Sequence, residues 1–377
     1  MAALRLGVVG VGGRGHGLVR AAQAVPEVAL TCVADVVRER AESVAQECGV
    51  RPFTSHVGLM ESGLVEAVLI GTPHPFHAQI AVDAAERRLH ILCEKPIAVQ
   101  VADADRMVAA AARAGVRLGL MFQRRLEPLR RRAHELVSAG ALGRLYDVEV
   151  VSTGWYRRQA YYDSGAWRGT WKGEGGGILA NQSPHDLDLL AWLAGLPQAL
   201  TASLARRVHR IEVEDTVQAV LEYGGGAIGT YRATTADPLG RHAFEVAGEL
   251  GRLALRDGKL VHCRYAKPVS EDILHTPQEG RIPFEHRWEE VPVDDRRGQD
   301  ATREVIAQFA RAVAGGGPLA ATGEDGVRAL ELANAMHLSG LRRKRVELPV
   351  DRAAVADLYT DLASGRLALD GGAVVGA

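Results

Sequence analysis

Lys95 stands at the end of the apolar run in LHILCEKPIA, where a strand-like segment gives out into Cys93, Glu94, Lys95 and Pro96. The chain carries five lysines beside 40 arginines, so an amine at this place is a marked choice. An amine releases its proton when its surroundings lower its pKa, whereas a guanidinium in a protein does not. The competing reading is a surface salt bridge at a strand end. His185, in ANQSPHDLDLL, is the second candidate. Ser183 reads as an N-cap, Pro184 as the first helical residue and Asp186 as a first-turn acid, with Leu187, Leu190 and Leu193 as the buried stripe. A histidine in the first turn of a helix feels its positive end, which keeps the ring neutral and suits a base near pH 7. By itself it reads more readily as one of the chain's 13 histidines packed against a helix start, and only its company favours the chemical reading.

The third constellation is GVVGVGGRGHG, which holds G-x-G-x-x-G at Gly10, Gly12 and Gly15 between an apolar run and a helical one. That context is what a dinucleotide cradle requires: a tight turn, a close backbone approach to pyrophosphate, and close helix packing. The helix start then aims backbone N–H groups at the phosphates. Asp35, in TCVADVV, falls where an acid is expected to accept hydrogen bonds from the adenosine ribose. A carboxylate there repels a 2′-phosphate, so NAD is favoured, while Arg38 and Arg40 nearby keep NADP open.

These residues need a scaffold. Up to about residue 122, short apolar runs alternate with helical stretches, which argues for a parallel sheet covered on both faces. From Tyr146 the runs lengthen (LYDVEVVSTGW, DTVQAVLEYGGGAIGTYRAT) and are separated by turns such as RDGK, which suggests a second, antiparallel or mixed sheet. The expected division is a nucleotide-binding α/β domain over 1–122, an α+β substrate and oligomerisation domain with a large, mostly antiparallel open sheet over 123–350, and a tail over 351–377. A net charge of -1 leaves no basic footprint for nucleic acid, and four cysteines without ligand spacing indicate neither zinc nor disulfides. No metal site is expected. The absence of a signal segment and of a long apolar run points to a cytoplasmic protein that does not cross a membrane.

With GVGGRG, the block GTPHPFHAQIAVDAAERRLHILCEKPIA, GGGILANQSPHDLDLL, TGEDGVRALELANAMHLSG and VELP in this order, the chain resembles the Gfo/Idh/MocA oxidoreductases from about residue 4 to about 350. That family includes glucose-fructose oxidoreductase and inositol dehydrogenase. The resemblance implies a Rossmann first domain and sets Lys95 and His185 on opposite sides of a nicotinamide as catalytic residues. It implies cofactor contacts from Gly10, Gly12, Gly13, Arg14, Gly15, Asp35, Thr72, Pro73, His77, Glu94, Lys95 and Gln123. Many members carry aspartate where this chain has Asn181, which orients hydroxyls but does not keep a proton. His74 stands where asparagine is common. The WRGTW and NQ segments resemble members acting on sugar rings and nucleotide sugars.

Asn181, Arg125, Tyr162, Trp167, Arg168 and Trp171 are the candidates for the substrate side, since aromatic faces stack on sugar CH surfaces and Arg or Asn grips polar groups. The expected reaction is NAD-dependent oxidation of a secondary ring hydroxyl of a sugar, cyclitol or nucleotide sugar, or its reverse, by a homo-oligomer (dimer or tetramer) joined through the open sheet. The alternatives are an NAD-using glycosidase of the same family with no net redox change, and a sugar sensor that keeps the fold without the chemistry.

Overall fold

The computed structural model describes residues 2–277, 279–280, 283–293 and 300–369. Six strands come first: β1 Leu4–Val9, β2 Val28–Ala34, β3 Arg51–Phe53, β4 Ala67–Ile70, β5 His90–Cys93 and β6 Leu118–Leu120. They form one parallel sheet in the order β3-β2-β1-β4-β5-β6. β1, β4 and β5 are almost wholly buried, as strands covered by helices on both faces must be. The order reverses between β1 and β4, and the crevice outside the carboxyl ends of the strands at such a switch is where α/β sheets take ligands. Pairing of Val9 with Ile70, Ile70 with Cys93 and Cys93 with Leu120 brings these ends into one row. Gly10, Thr72, Glu94, Lys95 and Gln123 all follow directly from that row.

Nine further strands build the second sheet: β7 Leu145–Ser152, β8 Ala199–Ala205, β9 Thr216–Glu222, β10 Ile228–Thr234, β11 His242–Gly248, β12 Gly251–Arg256, β13 Lys259–Tyr265, β14 His286–Glu290 and β15 Val346–Glu347. Their order is β14-β13-β12-β11-β7-β10-β9-β8-β15, antiparallel at every step except β7 beside β10. Burial alternates along β9 and β10, the pattern of a sheet with one covered and one open face. Helices Pro184–Ala194 and Gly323–Arg342 cover the inner face, joining Leu187, Leu190, Leu332 and Met336 to Leu200, Val217 and Tyr231 in one core. Val220, Ile228 and Trp288 lie exposed on the sheet's strands.

Two segments depart from the expected division. Helix Ala301–Gly315, inside the stretch assigned to the second domain, packs Val305, Ile306, Phe309 and Ala310 against Leu4, Leu6, Val8 and Leu18 of the first. The apolar stripe of that helix needs a surface, and the parallel sheet supplies it. The stretch from 351 begins with helix Arg352–Ala363, which is anchored by buried Val355, Leu358, Tyr359 and Leu362. The Tyr359 hydroxyl meets Asn334 Nδ2 at 3.1 Å and His337 Nδ1 at 2.7 Å. Residues 370–377, the rest of the expected tail, lie outside the described residues. Among the described residues no helix is long and apolar enough to cross a membrane.

Candidate active site

The glycine loop after β1 is built by exclusion. Gly10 has φ +84°, and a Cβ on Gly15 would stand 1.8 Å from the Gly10 carbonyl oxygen, so any side chain at 15 would push helix Gly13–Gln23 off the loop. Around Gly12 and Gly13 the opposite holds. A Cβ on Gly12 meets only Arg40 Nη1 at 3.7 Å, and one on Gly13 meets nothing within 4 Å, which leaves open space at the helix start. Asp35, just past β2, accepts from Val11 N at 3.0 Å, Val37 N at 3.0 Å and Arg40 Nη1 at 3.1 Å. Arg38 leans instead toward Glu42, 3.5 Å away.

Glu94 ties this loop to the next one. Its Oε1 accepts from Arg14 Nε at 2.6 Å and its Oε2 from Lys95 N at 3.1 Å. His77, expected to touch the cofactor, is fully buried and braces the main chain, with Nδ1 2.9 Å from Pro96 O and Nε2 2.8 Å from Thr72 O. Both ring nitrogens face carbonyls, so its role is to hold the turn after Pro73 against the turn after Lys95. Thr72 Oγ1 and Gln123 Oε1 are buried in the row of strand ends without a partner. Buried polar atoms normally find partners, so this pair marks places a ligand can fill. The glycine cradle, the open helix start and these two orphaned oxygens fit a dinucleotide.

The Lys95 side chain turns across the cleft and donates from Nζ to Asn181 O at 2.7 Å. It is not a surface salt bridge. Burial draws its pKa below the ordinary lysine value, with Glu94 opposing. His185 lies in the first turn of helix Pro184–Ala194 as expected, edge-on to Phe122 with ring centroids 5.9 Å apart. Burial holds its pKa well below the histidine range, and after burial the strongest influences are the cations Lys95, Arg124, Arg14 and Arg130. The ring is therefore neutral at pH 7, and more firmly so than a helix terminus alone would make it. Its Nδ1 has no partner.

The substrate side departs most from expectation. Arg125 is buried with its Nε and Nη2 on Asp188 and its Nη1 3.0 Å from Asp325, stacked 5.1 Å from the Trp192 ring centroid, so no nitrogen is left for a substrate. Tyr162 is buried and shares a hydrogen bond with Thr235 Oγ1 at 3.0 Å. Trp171 is buried too, donating from Nε1 to Glu212 O at 3.1 Å and packing edge-on to His337. These three are framework. Trp167 and Arg168 do approach the site: Trp167 sits edge-on to His74 at 6.0 Å, and the Arg168 guanidinium lies 4.4 Å from both the Trp167 and Tyr161 ring centroids.

Four residues that the motifs did not single out for the site complete it. Tyr161 Oη accepts from Arg168 Nη1 at 2.6 Å, Asn181 Nδ2 at 3.1 Å and Gln182 Nε2 at 3.3 Å. Glu174, 1% exposed, accepts from Gly169 N and from Asn181 Nδ2, and burial pushes its carboxyl up. Arg124 donates to Asp186 Oδ1 at 2.6 Å beside His185. His74 Nδ1 sits 2.9 Å from Glu174 O, and burial with nearby His77 drops its pKa to about 3. The one sequence signal for Glu174 is that it directly precedes Gly175–Gly177. Among the described residues no group of three or more His, Cys, Asp and Glu side chains is placed to hold a metal ion.

Residues 4–122 match a family profile described as oxidoreductase family, NAD-binding Rossmann fold, and residues 130–254 match the GFO/IDH/MocA C-terminal domain. The chain belongs to the Gfo/Idh/MocA oxidoreductase family. It is 27% identical over 340 residues to the rhizopine catabolism protein MocA of Rhizobium meliloti, covering 89% of this chain and 94% of that one. Identity to the myo-inositol 2-dehydrogenase of Thermotoga maritima is 25% over 355 residues, 92% of this chain and 98% of that one. Among solved structures, the WlbA dehydrogenase from Bordetella pertussis, in complex with NADH and UDP-GlcNAcA, aligns with a TM-score of 0.77 and 28% identity over 93% of this chain and 100% of that one. As a Gfo/Idh/MocA member the chain is an NAD-binding oxidoreductase, and the crevice outside β1, β4, β5 and β6 is the place for the dinucleotide.

Proposed function

We propose that this dehydrogenase oxidises a secondary ring hydroxyl of a sugar, cyclitol or nucleotide sugar to the ketone, or reduces the ketone, with Lys95 and His185 handling the proton. The observation that carries this reading is the meeting of a lysine and a histidine from different domains in one cleft: Lys95 reaches over to Asn181, and its ammonium is the strongest charge acting on the His185 ring. The names of relatives support the substrate class, one acting on myo-inositol and another crystallised with a nucleotide sugar. Bound NAD supplies the hydride acceptor.

The protein's task is to position the hydroxyl and to move its proton. An ammonium has three donors, and Lys95 gives one to Asn181, leaving the others for the hydroxyl oxygen on which negative charge develops. His185, kept neutral, accepts the proton. Because burial first, and then four nearby cations, disfavour imidazolium, the proton passes through His185 rather than resting there, and the same penalty makes protonated His185 a ready donor in the reverse direction. The acidic limb of the rate profile accordingly falls below the usual histidine range instead of near pH 7.

Incubating the protein with NAD and a panel of inositols, hexoses, sugar acids and nucleotide sugars tests this directly by NADH absorbance. NADH formation on a ring alcohol supports the reading. Cleavage of an aryl glycoside without NADH accumulation would replace it by the glycosidase, and NADH binding with no turnover of any class by the sensor.

A further inference from the structure

Asn181 is held in one orientation by the groups around it. The amide nitrogen donates to Glu174 Oε1, and with Glu174 ionised, as its hydrogen bonds from Gly169 N and Asn181 favour, that contact fixes the O and N placement of the side chain. The second amide hydrogen goes to Tyr161 Oη at 3.1 Å. Both donors are thereby committed to the protein. Oδ1 has no donor among the described residues and is not sealed from solvent, and the main-chain carbonyl of the same residue carries Lys95 Nζ. Glu174 is itself tied at two further points: Gly169 N–H donates to its other oxygen at 2.6 Å, and its main-chain oxygen meets His74 Nδ1 at 2.9 Å.

We propose that Glu174 is a positioning residue that makes Asn181 an uncharged, acceptor-only contact, so that Oδ1 selects a substrate bearing a hydroxyl or amide N–H donor beside the carbon that reacts. This rests on the dehydrogenase reading and deepens it. An amide free to rotate would present donor or acceptor alike and discriminate little, and a group with only lone pairs at that position, such as a carboxylate, meets repulsion. The pairing also explains the asparagine. An aspartate at 181 would set two carboxylates in contact, one of which would have to carry a proton.

The test uses the full protein and the best-turned-over member of a panel containing myo-inositol, D-glucose and a UDP-hexuronic acid. Glu174→Gln should raise KM about tenfold, the worth of one hydrogen bond, with kcat little changed. Asn181→Asp should raise KM with a new pH dependence as the paired carboxyls share a proton. The double variant Glu174→Gln/Asn181→Asp restores a donor–acceptor pair with its direction reversed, and should return KM to within about threefold of the original. A double variant no better than the worse single overturns the proposal, as does an unchanged KM in Glu174→Gln. Should the Glu174 variants melt early, a deoxy analogue lacking the neighbouring hydroxyl decides: it should bind the parent protein about tenfold more weakly and be indifferent to Asn181→Ala. Equal sensitivity of substrate and analogue to Asn181→Ala would overturn the idea. If no panel member yields NADH, the dehydrogenase reading fails first, whereas a substrate that turns over without these effects removes only the role of Glu174.

Discussion

On the nucleotide wall of the cleft, ligand space is shaped by main chain: Gly15 against the Gly10 carbonyl, a bare helix start at Gly12 and Gly13, and a buried glutamate pinning loop to loop. On the substrate wall the corresponding work falls to side chains that hold one another, Arg168 on Tyr161, and Tyr161 with Glu174 on Asn181. A wall made of backbone needs particular residue types at particular spacings and little else. A wall made of side-chain pairs depends on partners far apart in sequence, so a residue of suitable chemistry is as readily a strut as a contact. Lys95 belongs to the first wall by its position and to the second by its hydrogen bond, and the strongest test acts there.

Lys95→Met should lower turnover by about 100- to 10,000-fold, roughly 3 to 5 kcal/mol of barrier, because it removes the ammonium from the developing alkoxide. The dissociation constant for NAD should hardly move, since the glycine loop and Asp35 are untouched. Titration calorimetry with NAD and steady-state rates separate the two effects. Near-normal turnover would withdraw the proton-handling role and leave the walls without a shared catalytic group.

The difference between strut and contact on the substrate wall is exposed by Arg125→Met beside Arg168→Met. Removing Arg125 leaves Asp188 and Asp325 without the cation that bridges them, with only the weaker pull of Arg328 on Asp188, and should cost about 3–5 kcal/mol of unfolding free energy. Asp188, raised by burial to about 7 even with its partner, would climb further. A carboxyl raised in the folded state loses stability for the fold as pH rises through its ordinary range, because the unfolded chain then gives up a proton that the folded one keeps. The parent keeps the Asp188 proton up to about pH 7, so the deficit relative to it should widen as pH rises through and above 7 in denaturant titrations. Arg168→Met gives up one hydrogen bond and two ring contacts and should cost only about 1–2 kcal/mol while raising KM. Exchange of these two outcomes would invert the assignment of the wall.

The first domain was legible because its evidence is local. Near-continuous apolar strands announce a doubly covered parallel sheet, and G-x-G-x-x-G followed by Asp35 announces what its switch point holds. The second sheet was readable as a class from its longer runs and turns, though not the return of helix Ala301–Gly315 to the first domain, since an apolar stripe does not say which surface it will meet. On the substrate side, aromatic and arginine residues were chosen by chemistry, and burial decided against three of the five. Tyr162 turned into the core while its neighbour Tyr161 turned to the site. Glu174 went unread because a carboxylate shows its importance only through Asn181 and Gly169, which reach it in space.

The mildest test returns to the nucleotide wall and asks whether one side chain there behaves like those opposite. Asp35 is a carboxylate at the ribose position, yet the Arg40 guanidinium lies against both of its oxygens, at 3.1 and 3.2 Å. With Asp35 present, that cation is neutralised and a 2′-phosphate meets a negative group, so NAD should bind about tenfold more tightly than NADP, a difference of about 1.4 kcal/mol. Asp35→Ser removes the repulsion and frees Arg40 to meet the phosphate, and the ratio of the two dissociation constants should fall toward one. Adding Arg40→Ala should take back the gain in NADP affinity while leaving NAD affinity nearly where Asp35→Ser put it. An Asp35→Ser variant whose NADP gain survives the loss of Arg40 would show the carboxylate acting alone. In that case the nucleotide wall would differ from the substrate wall even here, with a residue that acts without a partner.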